Sequence, residues 1–165
     1  MKQVVKKKAV KGKPKKKLKR PSAKNTKHHL PGTSKLEQRF ATDFLDKLGV
    51  KYYYQVEAED IGRWYDFYLP NHKLIIEVDG SWYHSDPRLV KEENMNPMQK
   101  RNKRIDELKD KWALMHGIPI LRIWEKDINE SPEKVLKMLK ERLYIQDKKN
   151  LITENKNKRH INKIK

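Results

Sequence analysis

The sequence predicts an α/β fold, a small mixed β-sheet flanked by helices, with a disordered basic arm at each end. Three observations predict it. Residues 34–49 carry apolar side chains every four positions, the period of one helix face. Between 51 and 80, aromatic and β-branched residues form three short runs separated by Asp, Gly, Pro and Asn, the pattern of a strand meander. Beyond residue 97, two helical patterns bracket the short apolar run "GIPILRIW".

The first helix begins in "TSKLEQRFATDFLDKLGV", where Ser34 and Glu37 have capping-box spacing. Leu36, Phe40, Phe44 and Leu48 form its buried stripe, and Gly49 ends it. On pattern alone, Glu37 is a cap. Strands follow at about 51–57 and 63–69, joined by a turn near Asp60 and Gly62. The compact turn Pro70–Lys73 returns "LIIEVDG" as a third, antiparallel strand. Gly80, Pro87 and Pro97 mark a long irregular loop over 80–97; such loops tend to carry function. A helix over 98–116 carries Ile105, Leu108, Trp112 and Met115 on one face. "GIPILRIW" is a buried strand with Pro119 near its start, where a missing N–H is tolerated. "SPEKVLKMLKERL" is the last helix, with Ser131 as N-cap and Pro132 at its first position.

The formal net charge of +18 is concentrated at the ends. Residues 1–30 hold thirteen Lys and Arg and no acid, and residues 148–165 hold seven against Glu154 alone. The span 31–147 is nearly neutral, with 20 basic and 21 acidic residues. The expected organisation is therefore a disordered Lys-rich arm (1–31), a folded domain (32–145) and a basic tail (146–165). Self-repulsion and few apolar residues keep such an arm from compacting, and its natural partner is a polyanion. The absence of cysteine excludes disulfides and thiolate metal sites and fits a reducing intracellular compartment. No run is long or apolar enough for a membrane span, and the N-terminus lacks a signal-peptide core. A soluble protein without a membrane partner is expected.

The anomaly is charge inside strands. Glu77 and Asp79 lie two apart and share a face, and the Pro70–Lys73 turn brings Asp66 back beside them. Three carboxylates in one place repel unless a cation intervenes. Mg2+ meets that need with carboxylate oxygens, and the Val78 carbonyl could add another; Mn2+ is the alternative. His84, just past Gly80, titrates near neutrality and can move a proton. Asp106 on the following helix is its candidate partner.

"YDF…IIEVDGSWYH" resembles the core of the PD-(D/E)XK nuclease superfamily. The likeness is closest to the branch with the very-short-patch-repair endonuclease and the phage homing endonucleases of E-D-x-H-D pattern. That pattern falls on Glu37, Asp66, His84 and Asp106. "RNKRIDELKDKWALMHGIPILRIWE" also resembles the family's helix, with Asp106 eleven residues before Gly117, and its strand ending in Trp124-Glu125. The likeness spans about residues 34–126. It departs from the wider superfamily at Glu77-Val78-Asp79, where Glu-x-Lys is usual.

The resemblance implies a restriction-endonuclease-like fold and metal-dependent hydrolysis of DNA. Asp66, with Glu77 or Asp79 and the Val78 carbonyl, would hold the metal, and Glu37 would hold a metal-bound water. His84, steered by Asp106, would move the proton in place of the missing lysine. Trp82 and Tyr83 would stack on bases or wedge between them. Lys15, Lys16, Lys17, Lys19 and Arg20 of the arm would grip the DNA backbone. Two alternatives stay open: a non-catalytic basic nucleic-acid-binding protein, and the same fold acting on RNA or branched DNA. Bacterial or phage-infected cytoplasm is the expected location, with the nucleus as alternative.

Overall fold

Ser34 and Glu37 close the reciprocal cap their spacing predicts. The Ser34 hydroxyl accepts from the Glu37 N–H, and the Glu37 carboxylate accepts from the Ser34 N–H, both at 3.1 Å. They open helix α1 (Lys35–Phe40), which widens into a π-type segment, Ala41–Asp46. The segment closes at Gly49, whose φ of +64° suits a residue without a Cβ. In the computed structural model, residues 33–162 are described, with side chains to residue 155.

The meander forms as expected. Strands β1 (Tyr53–Ala58), β2 (Arg63–Leu69) and β3 (Leu74–Asp79) pair antiparallel in turn. After α2 (Pro97–His116), β4 (Ile120–Trp124) returns parallel to β3, with Ile75 opposite Ile120 and Asp79 opposite Trp124. The strand order is β1-β2-β3-β4, a four-stranded mixed sheet. Both faces are covered. One carries α1, α3 (Glu125–Glu130) and α4 (Pro132–Asn162), whose Phe40, Phe44, Ile128, Val135 and Leu139 pack on Phe67, Leu74, Ile76 and Val78. The other carries α2, whose Trp112 and Ala113 pack on Tyr65 and Ile75. Every residue of β3 is buried.

The structure departs from the expectations in four places. Strand β4, expected to be buried, lies at the sheet edge, and Ile123 alone of its residues is buried. Helix α2 does not bury the Ile105–Leu108–Trp112–Met115 stripe: Trp112 is buried, but Leu108 and Met115 are exposed. The helix is rotated so that Gln99, Lys109, Trp112 and Ala113 turn inward, because polar partners for the loop and for β3 lie on that side. Helix α3 was not foreseen; it fills the step between β4 and α4 and buries Ile128. Helix α4 runs past the boundary placed at residue 145, so residues 146–162 continue it. Gln146 and Asn150 donate to the carbonyls of His72 and Asn71, and Asp147 meets His72 Nδ1 at 2.6 Å. These contacts fasten the extension to the β2–β3 turn. Residues 1–32 and 163–165 lie outside the described residues.

Candidate functional site

The site starts where two strands part. Pairing of β2 with β3 runs from Leu69–Leu74 to Phe67–Ile76 and stops. The next residue of β2, Asp66, replaces the backbone: its Oδ2 accepts from the Val78 N–H at 2.8 Å. Across on β1, Gln55 has φ +44°, a sparsely populated conformation for a residue with a Cβ. The strands turn over here. Tyr54 and Phe67 pack on one face of the sheet while Ala58 and Tyr65 pack on the other, although residues two apart ordinarily share a face. Gln55 Nε2 donates to Glu37 Oε2 at 2.8 Å. Glu37 therefore caps its helix with one oxygen and reaches the sheet with the other. Burial and the nearby charges of Glu77 and Glu37 hold the Asp66 carboxyl well above the usual range, against the pull of Lys109 and the Val78 N–H.

Cations supplied by the fold answer much of the charge in β3. Lys109 Nζ, from α2, lies 2.5 Å from Glu77 Oε2, with both side chains buried. Burial nevertheless pushes Glu77 up to about 7, against the pull of Lys109 and Arg122. Its Oε1 is buried with no hydrogen-bond partner. Asp79 is met by Arg122 of β4, whose Nη1 lies 3.0 Å from Oδ2 and 3.2 Å from Oδ1. The same nitrogen is 3.7 Å from Asp106 Oδ1, and Nη2 is 2.9 Å from Asp110 Oδ1.

His84 is presented by a braced loop. Ser81 N–H donates to Glu125 and its hydroxyl accepts from the Lys126 N–H. Buried Asp86 is clamped by Arg88, which also grips Asp127. From this frame His84 Nδ1 reaches Asp106 Oδ2 at 2.8 Å and comes within 3.6 Å of Asp79 Oδ1. Burial pulls against a charged imidazole, but the Asp106 hydrogen bond and the Asp79 and Asp106 charges outweigh it, so the pKa is raised. Asp79, His84, Asp106 and Arg122 line a cleft of about 320 Å³ that also touches Lys103, Glu107 and Trp124.

The expected ligand set is therefore redistributed. Asp66, Glu77 and Asp79 do not form a group with all donor atoms within 4.8 Å of one another, although the Glu77 charge reaches Asp66; Asp66 Oδ2 is turned to the Val78 N–H. Val78 meets Asp66 through that N–H, and its side chain packs in the core. Among the described residues, the group whose donor atoms all lie within 4.8 Å of one another is Asp79, His84 and Asp106, which could hold a metal ion. Two carboxylates and an imidazole supply the donors, and the Arg122 guanidinium already lies against the carboxylate oxygens.

Trp82 and Tyr83 are more than half exposed, edge to face at 5.0 Å between ring centroids. Their carbonyls accept from Gln99 Nε2 (2.7 Å) and Asn102 Nδ2 (3.0 Å) of α2, which fixes the backbone and leaves both rings to solvent. Lys100, Arg101 and Arg104 are exposed on the same stretch of α2. Lys15, Lys16, Lys17, Lys19 and Arg20 lie outside the described residues.

Sequence reasoning missed Lys109, Arg122 and Gln55. Arg122 carried a signal, a charge inside "ILRIW", the same anomaly that exposed Glu77. Lys109 is one of forty Lys and Arg residues, and Gln55 announces its backbone by nothing in the sequence. Comparison with protein-family models, curated proteins and solved structures finds no match.

Proposed function

We propose that this protein is a metal-dependent endonuclease hydrolysing phosphodiester bonds in DNA. One observation carries the reading: the pairing of His84 with Asp106 at 2.8 Å in a cleft whose wall includes buried Asp79. A protein that only retains phosphate gains nothing from carboxylates in that wall, since they repel the ligand. Asp79 and Asp106 would hold Mg2+ through their carboxylate oxygens; Mn2+ has the same preference for oxygen. When bound, such an ion polarises the phosphate and stabilises the charge that builds on it.

The remaining roles belong to the chain. Asp106, facing Nδ1, orients the His84 ring and leaves Nε2 to take a proton from water or return one to a leaving oxygen. Asp66 and Glu37 border the fork, where burial holds the Asp66 carboxyl above its usual range. Trp82 and Tyr83 offer faces for base stacking. Lys100, Arg101, Arg104 and the arm lysines supply backbone contacts, which position DNA without selecting sequence. The E-D-x-H-D resemblance of Glu37, Asp66, His84 and Asp106 adds support.

The test is a supercoiled-plasmid assay. Conversion to nicked or linear DNA is expected with Mg2+ or Mn2+, is abolished by EDTA and is slowed about 10²–10⁴-fold by His84→Ala. No cleavage with either metal overturns the reading. A second reading, a non-catalytic nucleic-acid-binding protein, is favoured by the ion pairs of Glu77 with Lys109 and Asp79 with Arg122, which neutralise these carboxylates without a metal. It expects DNA retention regardless of EDTA and no cut.

A further inference from the structure

Arg122 occupies the position a metal would be expected to want. Its Nη1 contacts both oxygens of Asp79, at 3.0 and 3.2 Å, and lies 3.7 Å from Asp106 Oδ1. Two of the three side chains that could hold an ion thus already face one nitrogen of a fixed positive charge. Asp79 is 2 % exposed, so little water competes for its lone pairs. A guanidinium does not lose its proton to make room, and a divalent cation cannot share these oxygens with it without strong repulsion. Part of the guanidinium has another hold: Nη2 bonds the half-exposed Asp110 at 2.9 Å, on the outer side of the cluster.

From this geometry we infer that Arg122 is a built-in competitor for the metal site, holding Asp79 and Asp106 until a divalent ion displaces it toward Asp110. The two cations exclude each other. The inference rests on the metal reading of Asp79 and Asp106, not on DNA cleavage. It gives Arg122 a positioning role with a cost: it keeps a buried carboxylate compensated in the metal-free chain and weakens metal binding by the fraction of time it stays in place. The neutral gap that a mutation leaves would be filled by the ion instead.

The experiment is calorimetric titration of the full-length chain with MnCl2 in the absence of DNA. If the open arrangement is populated at roughly 1–10 %, Arg122→Gln binds Mn2+ about 10- to 100-fold more tightly than the unmodified protein. Arg122→Lys, with a single-point charge that cannot bridge Asp79, Asp106 and Asp110 together, falls between. The melting temperature of Arg122→Gln also rises further on Mn2+ addition than that of the unmodified chain. Unchanged or weaker binding in Arg122→Gln overturns the inference. Should that variant not fold, the unmodified chain decides the matter by 15N NMR of its arginine side chains. Mg2+ is expected to shift the Arg122 guanidinium resonances, and resonances unaltered at saturation count against displacement. Absence of metal binding in both proteins removes the metal reading and this inference with it. Metal binding without DNA cleavage removes only the nuclease reading.

Discussion

Lys109 Nζ and Glu77 Oε2 form a buried ion pair 2.5 Å long, joining α2 to the centre of the sheet. The pair explains how β3 tolerates a carboxylate in a strand with no exposed residue. Removing one partner of such a pair typically costs about 3–5 kcal/mol, because the other charge is left uncompensated.

Lys109→Met is accordingly expected to destabilise the metal-free protein by about that amount at pH 8, measured by urea unfolding. The loss shrinks at low pH. Without Lys109, only the Arg122 charge still opposes the burial that raises the Glu77 pKa, so the folded state holds the Glu77 proton to higher pH while the unfolded state ionises it near 4.5. A raised folded pKa gives stability that is present below the unfolded value and lost as pH climbs through the folded one. Lys109→Met should therefore approach the unmodified protein near pH 4.5 and fall behind it toward pH 8. A pH-independent deficit would mean that Glu77 stays charged.

For the proposed reaction, His84→Ala lowers the single-turnover cleavage rate by about 10²–10⁴, the usual contribution of a positioned acid–base group. Its unfolding free energy changes little, since the ring is partly exposed. Asp106→Asn removes a group that raises the His84 pKa. With His84 as base, the acid limb of the pH–rate profile then moves to lower pH. An unmoved limb assigns the proton to another residue.

Trp82 is 55 % exposed and its backbone is held by Gln99. Trp82→Ala should leave stability within about 0.5 kcal/mol, as surface changes do. It should weaken DNA binding by about 1–3 kcal/mol if a base stacks on the indole. Denaturant curves and fluorescence anisotropy with labelled DNA separate the two effects.

The loop that presents His84 is expected to loosen in acid. Hydrogen bonds from Arg88 hold the Asp86 carboxyl below its ordinary pKa. A depressed folded pKa gives stability that is present above the unfolded value near 3.9 and lost as pH falls through the folded one. Hydrogen exchange of loop amides should therefore accelerate below about pH 4. Arg88→Ala should start from faster exchange and show a flatter dependence over the same range.

Deleting residues 1–31 should reduce the salt dependence of DNA binding, each lost phosphate contact removing about 0.9 from the log–log slope. An identical slope would place the phosphate contacts on the folded domain.

Much of this architecture is legible in the sequence because local chemistry dictates it. Ser34 with Glu37 sets the helix start, Pro70–Lys73 sets the β2–β3 hairpin, and Pro119 opens β4. Asp66, Glu77, Asp79 and His84 were conspicuous, since charge in a strand or beside a glycine loop requires an explanation, whereas Asp106, amid "KRIDELKDK", stood out only as a partner for His84 and through the resemblance. The cationic partners were not conspicuous. The face that α2 buries depends on tertiary demand, and its apolar residues do not define a clear stripe once Lys109 and Gln99 turn inward. The run from Glu133 onward contains neither Gly nor Pro, so the length of α4 was readable. High charge argued the other way, and contacts with the β2–β3 turn decided it. The reversal at Gln55 and Asp66 stayed hidden because two strands must be seen together for it to exist.

The carboxylates Asp66, Glu77 and Asp79 all come from the N-terminal meander, whereas the cations that meet the last two, Lys109 and Arg122, come from the later α2–β4 segment. As the chain leaves the ribosome, three strands emerge carrying buried acids with nothing to neutralise them. They can settle only once the second half has been synthesised. The polar cluster thus ties the two halves into one folding event, and a fragment ending at Gly80 should remain open however well its hairpins are encoded.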